Sequence, residues 1–539
     1  MRRLALVVPF VAACASTPTT APAPKPAPAP SISLKEPPND WLLLDEATDR
    51  IAGISVRRAE RELLAGKQPQ RTVLVAVIDN GVDTSHVDLR ANLWTNPREI
   101  GGNGKDDDGN GYADDTRGWD FIGGRDGRNV DHDTFEVTRL FARCGAGGPV
   151  PDSISIADKA LCPQIVQDFK KKKEEVDRTL SKIREFENLF SNVDPLLRQE
   201  ARIDSLTKER VEALRPTSPD VQQARAIYLQ LAAAGITPSM LEEAKKAYSS
   251  QAQYSLNPKY DPRPIVGDNP ANLAERNYGN PDVTGPGAKH GTHVSGIIGA
   301  VRGNNVGTDG IAPSVRIMAV RAVPDGDERD KDIANAIRYA VDNGAQVINM
   351  SFGKAYSPQK AVVDDAVRYA DAKGVLMVHA AGNEGEDAAK HASFPTPLYL
   401  SGGRAQNWIE VGASSWKRGD SLAASFTNYG QNQVDVFAPG VDIYSTVPKG
   451  YEKDSGTSMA SPVVAGLAAL ILSYYPQLSA SDVKRIILQS AAKYPNLMVI
   501  RPGSENGDKV DFSTLSQTGG VVNAYTALKL AEEMSKPRP

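Results

Sequence analysis

Thr72-Val73-Leu74-Val75-Ala76-Val77-Ile78-Asp79 is a continuous apolar run, rich in β-branched residues, that ends on an acid. It lacks the alternation of a half-exposed strand. It therefore predicts a strand buried on both faces of a parallel sheet, with function just past its carboxyl end. Similar short runs recur at 317–323, 347–350, 375–380, 409–413 and 434–438, and helical patterns such as 332–343 and 360–373 separate most of them. Strands alternating with helices predict an α/β fold with a mainly parallel sheet.

Working outward, one region departs from this alternation. Between about residues 163 and 253 the composition turns to Lys, Glu, Arg, Leu and Ala, with Ile165, Phe169, Val176, Leu180, Ile183 and Leu189 at near-helical spacing. This predicts a helical insertion, divided into antiparallel helices by breaks at Asp194-Pro195, Arg215-Pro216 and Gly235 to Pro238. Its charge run from Lys170 to Glu175 reads as a solvated helix face or as a binding surface. The expected organisation is an α/β domain in two pieces, 39–125 and 283–535, around a mainly helical insertion over 126–282.

Three segments carry chemistry. Val77-Ile78-Asp79-Asn80-Gly81 puts an aspartate at a strand end. His290-Gly291-Thr292-His293 precedes small residues that let a helix start close to neighbouring backbone. Gly456-Thr457-Ser458-Met459-Ala460-Ser461-Pro462 leads into an Ala/Val/Leu-rich helix, placing Ser458 where helix N–H groups favour negative charge. A serine hydroxyl needs a histidine to take its proton, and that imidazole needs a carboxylate to fix its tautomer.

Together these segments resemble the Asp, His and Ser signatures of the subtilisin family, in that family's chain order. The resemblance covers about residues 39–125 and 283–530 and implies a subtilisin-like three-layer α/β/α fold. It implies that Asp79 orients the base, His290 is general base and acid, and Ser458 is the nucleophile; His293 is expected to be structural. His379-Ala380-Ala381-Gly382-Asn383 resembles the family's oxyanion segment, which implies Asn383 as a donor beside the Ser458 N–H. Ser351, Phe352 and Gly353 resemble the edge that pairs with an extended substrate, with Ala380, Ala381 and Gly382 walling the pocket for the residue before the scissile bond. Protein or peptide substrates follow. Val463 and Val87 stand where the family commonly has histidine and proline, and neither touches a proton-transfer group.

The separation of Asp79 from His290, 211 positions, is far longer than in compact members. The insertion thus enters between two catalytic segments, leaving gating, partner binding and decoration open as its roles. No cofactor is required for the chemistry. Asp106, Asp108, Asn110 and Asp114 are spaced like the oxygen ligands of a calcium loop, although Arg117 stands where an EF-hand has its bidentate Glu; a solvated acidic turn is the other reading. The loop 304–310 resembles a calcium loop of subtilisins but is one residue shorter, and Asp131-His132-Asp133 offers a metal set or an exposed turn.

At the start of the chain two arginines precede an apolar run over 4–13, which predicts a signal peptide over 1–13. Val11-Ala12-Ala13-Cys14 resembles a lipoprotein lipobox, implying lipidation of Cys14; an ordinary cleaved signal is the alternative. The Ala/Pro stretch at 17–30 then forms the core of a tether over 14–38. No later run reads as long enough to span a bilayer, so membrane attachment would rest on the lipid. Ala15 points to the outer membrane or cell surface rather than the inner membrane. Cys144 and Cys162 would form a disulfide in an oxidising compartment or remain two buried thiols.

Hydrophobic content of 40% and charged content of 24% fit a soluble body, and a net charge of −4 argues against a nucleic-acid partner. Two further readings compete with a peptidase: a catalytically silent scaffold that binds through the insertion, and an esterase or ligase sharing the acyl-enzyme chemistry.

Overall fold

The computed structural model describes residues 36–151, 155–202 and 205–536. The expected signal, Cys14 and the tether up to residue 35 lie outside the described residues. The opening apolar run becomes β1 (Val73–Asp79), inside a nine-stranded sheet. The other strands are β2 (Gly118–Asp120), β3 (Val315–Arg321), β4 (Val347–Met350), β5 (Leu376–Ala380), β6 (Trp408–Ser414), β7 (Val436–Pro439), β8 (Ala492–Lys493) and β9 (Gly520–Val521). Their order is β8-β9-β7-β6-β5-β4-β1-β3-β2, and each neighbouring pair is parallel except β8 with β9.

The insertion supplies α1 (Glu136–Arg143), α2 (Ile156–Ala201), α3 (Lys208–Ala213), α4 (Pro219–Ala233) and α5 (Pro238–Ser250). The breaks expected near 215 and 235 are present. The break at Asp194-Pro195 is not, because α2 runs through both Pro163 and Pro195. A proline inside a helix costs about 3 kcal/mol. Around Pro195, however, Ile183, Phe190, Val193 and Leu197 are buried against α4 and α5 in a core of their own, and each contributes roughly 1.5–3 kcal/mol. Packing wins over local propensity. Cys144 and Cys162 form a disulfide that joins the end of α1 to α2.

Four further helices build the layers: α6 (Lys289–Gly299), α7 (Asp330–Asp342), α8 (Lys360–Ala372) and α9 (Thr457–Tyr474). Strand alternation sends Val73, Val75 and Val77 into one core with α6 and α9, and Ala76 and Ile78 into the other with α7 and α8. The result is the three-layer α/β/α architecture. By length and composition α9 could cross a membrane, which the sequence reading did not see, but nearly all of it is buried as the central helix of the first core.

Strand order then positions the site. From β1 the chain passes to β2 and β3 on one side and returns to β4 on the other. The crevice at the carboxyl ends of β1 and β4 is therefore the switch point where open α/β sheets place ligands.

Candidate active site

Asp79, the last residue of β1, is 2% exposed, and its Oδ1 accepts a hydrogen bond from His290 Nδ1 at 2.7 Å. The local fold brings the two together. Asn80 Oδ1 accepts from the Gly291 N–H at 2.9 Å, and a Cβ on Gly291 would lie 2.2 Å from the Gly81 carbonyl oxygen. Only glycine lets α6 start this close to β1. With Nδ1–H given to the carboxylate, His290 Nε2 is left as the acceptor that a general base needs. Burial pushes the imidazole pKa down, but the Asp79 charge and hydrogen bond outweigh it, holding it above the ordinary 6.5. His293 is buried, and its Nε2 lies 3.0 Å and 3.1 Å from the carbonyl oxygens of Ile443 and Glu452, a structural contact.

Ser458 sits in the first turn of α9, as its sequence context predicts. Its hydroxyl donates to the Ser351 carbonyl at 3.0 Å, and Ser351 Oγ donates to the Ser458 carbonyl at 2.9 Å. Ser458, the expected nucleophile, is thus tied to Ser351, the first residue of the expected substrate edge.

Asn383 Oδ1 accepts from Thr457 N at 2.8 Å and from Thr457 Oγ1 at 3.0 Å. That fixes the Oδ1 end of the amide on Thr457, next to Ser458. A Cβ built on Gly456 would lie 3.5 Å from Asn383 Nδ2, 3.6 Å from Ser458 N and 3.7 Å from Asn383 Oδ1, so the amide and the Ser458 N–H both border Gly456. The turn carrying Asn383 is braced by Asn428, which sequence reading missed. Its Nδ2 donates to the Ala381 carbonyl at 3.0 Å, and its Oδ1 accepts from Glu384 N and Glu386 N. Gly382 has φ +106°, and its N–H donates to Thr457 Oγ1. Ala380 and Ala381 are buried beside it.

The expected substrate edge lies at the end of β4. Ser351 and Phe352 are buried, while Gly353 is exposed. Beyond it Lys354, also missed from sequence, is buried and reaches Glu136 Oε2 and Asp330 Oδ1, each at 2.9 Å. Glu136 also receives Arg139 Nη2 at 2.7 Å. Burial would raise the Glu136 carboxyl, but these two cations bring it down to about 2. The Glu328 carboxyl, equally deep beside Lys354, is pushed up to about 8 by burial.

The acidic loop brings one carboxylate oxygen from each of Glu99, Asp106 and Asp108 within 4.8 Å of one another, a fit for a hard cation. Glu99 was not legible as a ligand. Asp114 serves differently: its oxygens accept the N–H groups of Gly102, Asn103 and Gly104, which shapes the turn. Asn110 Nδ2 donates to Asp115. The 304–310 loop meets a further missed acid, Asp88, whose Oδ1 accepts from Asn304 Nδ2 at 2.7 Å. Asp133 is taken by Arg329 at 2.8 Å, and His132 Nδ1 bonds Asp325, so residues 132 and 133 are spent on separate ion pairs rather than gathered as a metal set.

Fold and site together define a class that sequence comparison names independently. The chain belongs to the subtilase family, whose profile matches residues 70–520. A thermophilic serine proteinase of Bacillus sp. (strain AK1) is 48% identical over 186 residues, 34% of this chain and 42% of that protein. Subtilisin DY of Bacillus licheniformis is 39% identical over 208 residues, 38% of this chain and 71% of that protein. The match thus spans less than half of the first relative's length. A solved structure, a serine-to-alanine mutant of the protease domain of PatA, has a TM-score of 0.37 at 30% identity, covering 46% of this chain and 82% of that one.

Proposed function

We propose that this chain is a serine endopeptidase that hydrolyses peptide bonds in proteins outside the cytoplasm through an acyl-enzyme. His290 takes the Ser458 proton as the hydroxyl attacks the scissile carbonyl, then returns it to the leaving amine. Asp79 holds the imidazole and stabilises its charged form. Asn383 Nδ2 and the Ser458 N–H stabilise the oxyanion, and water then frees the acyl group from Ser458. The observation that carries this reading is the 2.7 Å Asp79–His290 bond, together with Ser458 in the first turn of α9 and the Asn383 amide bonded to its neighbour Thr457.

Glu99, Asp106 and Asp108 would hold a structural calcium ion that stiffens their loop and takes no part in the chemistry. Export and lipid anchorage through Cys14, at the outer membrane or cell surface, complete the reading.

The test is hydrolysis of unfolded casein by the protein starting near Ser31, beside Ser458→Ala and Asn383→Ala. Cleavage is expected, with fluorophosphonate labelling that Ser458→Ala abolishes. Asn383→Ala is expected to lower kcat by about 10²–10³, a magnitude carried over from the equivalent change in subtilisin itself. A folded protein that neither cleaves nor takes the label would instead favour the silent scaffold.

A further inference from the structure

The substrate edge has a definite end, and the insertion makes it. Ser458 is seated on Ser351, so a substrate strand starts pairing there and runs towards Gly353. At Lys354 the main chain is already used: its N–H donates to the Phe394 carbonyl at 3.0 Å and its carbonyl accepts from Phe394 N at 2.8 Å. This pairing holds the edge segment to the 394 segment immediately past Gly353.

Side chains close the same place. Lys354 Nζ donates to the Glu328 carbonyl at 2.8 Å and reaches Glu136 of α1 and Asp330 of α7, crossing the line a longer strand would follow. Arg139 of α1 donates to the carbonyls of Asp327 at 3.2 Å and Glu328 at 3.3 Å, and Glu136 N donates to Asp327 Oδ2 at 2.7 Å. The neighbouring wall has thereby also given up its acceptors to the insertion.

This closure is fixed in place. Lys354, Glu136 and Glu328 are all buried. Phe141 of α1 stacks on Phe169 of α2 at 3.9 Å, next to the Cys144–Cys162 disulfide. Tyr356, two residues past Lys354, donates its hydroxyl to Asp168 of α2. Segment and insertion are joined from both sides.

We propose that α1, bolted to the edge through Glu136, Arg139 and Lys354, is a built-in stop that limits acyl-side recognition to the residues pairing with Ser351, Phe352 and Gly353. The preferred substrates engage through a short stretch before the cleaved bond, and any longer chain must bend away from the sheet. This rests on the peptidase reading above.

The experiment is a length series: acetylated alanine peptides ending in Phe-p-nitroanilide, two to six residues long, with the intact protein. kcat/KM is expected to rise up to three residues and then to change by less than about tenfold, the gain that one or two further main-chain hydrogen bonds confer. A further rise of about tenfold or more between three and five residues overturns the stop. Calorimetric binding of the same peptides to Ser458→Ala supplies a readout free of catalysis. There the affinity is expected to level off at the same length, and a tenfold gain beyond it also overturns the stop. Cleavage of no peptide, with no fluorophosphonate label on Ser458, identifies the peptidase reading as the part that failed and removes the stop with it.

Discussion

Glu136→Gln tests the buried charge that joins insertion to cleft. The Glu136 carboxyl is 8% exposed and lies between Arg139 and Lys354, at 2.7 Å and 2.9 Å. It falls from its ordinary 4.5 to about 2, a preference for the charged form worth ~3 kcal/mol. A depressed carboxyl stabilises the fold above its unfolded pKa, and that stability disappears as pH falls through the folded value. The window here runs from about 4.5 down to about 2. In a Ser458→Ala background, which prevents self-digestion, urea unfolding at pH 7 is expected to lose ~3 kcal/mol, in line with the roughly 3–5 kcal/mol for breaking a buried pair. At pH 3 the loss should shrink to ~1.4 kcal/mol, because the unfolded carboxyl is by then protonated while the folded one is still mostly ionised. A loss at pH 7 below about 1 kcal/mol, or one undiminished at pH 3, would refute the reasoning.

Glu328 carries the opposite sign. Its folded pKa of about 8 lies above the ordinary 4.5, so stability falls as pH climbs between them, and Glu328→Gln should be more stable than the parent at pH 8 but not at pH 4. For catalysis the neutral imidazole is the working base, so kcat/KM should rise with pH through a value above 6.5; Asp79→Asn should move that limb downwards and lower kcat by about 10⁴. An unmoved limb in the variant would break the link between Asp79 and the base. Calcium should raise Tm, and Glu99→Gln should remove most of that rise while leaving the Tm measured in chelator nearly unchanged.

Much of the sheet was legible because a strand buried on both faces is apolar at nearly every position, as in 73–78, and in 347–350 apart from the buried Asn349. β2 was not, since Gly118-Trp119-Asp120 carries an acid whose charge is met by Arg321, 201 positions away. The proposed triad was readable because each member stands in a local motif. Asn428 was not: it braces Asn383's turn from 44 positions on and resembles any turn asparagine in its own neighbourhood. Lys354 was equally opaque, because its meaning depends on Glu136, 218 positions earlier and inside the insertion. Pro195 misled for the reverse reason, a strong local signal outweighed by a core that forms only when α2, α4 and α5 meet.

How 211 positions can separate Asp79 from His290 without disturbing their bond follows from the base of the insertion. Asp120 N donates to the Asn280 carbonyl at 2.9 Å, and Asn280 N returns a bond to the Asp120 carbonyl at 3.1 Å, so the chain re-enters beside the strand it left. One buried guanidinium joins the parts: Arg321, at the end of β3, donates to the Asn80 carbonyl at 2.9 Å, to Asp120 Oδ2 at 2.8 Å and to the Val130 carbonyl. Burial pushes the Asp120 carboxyl up to about 7 even against that cation, so its charge is tolerated only while Arg321 stays in place. The Asp79–His290 spacing is then set by β1, α6 and the Asn80–Gly291 bond between them, outside the insertion. The insertion's buried Glu136 meets Lys354 at the end of the expected substrate edge, which is where the proposed stop would act on the cleft without moving the Asp79–His290 bond.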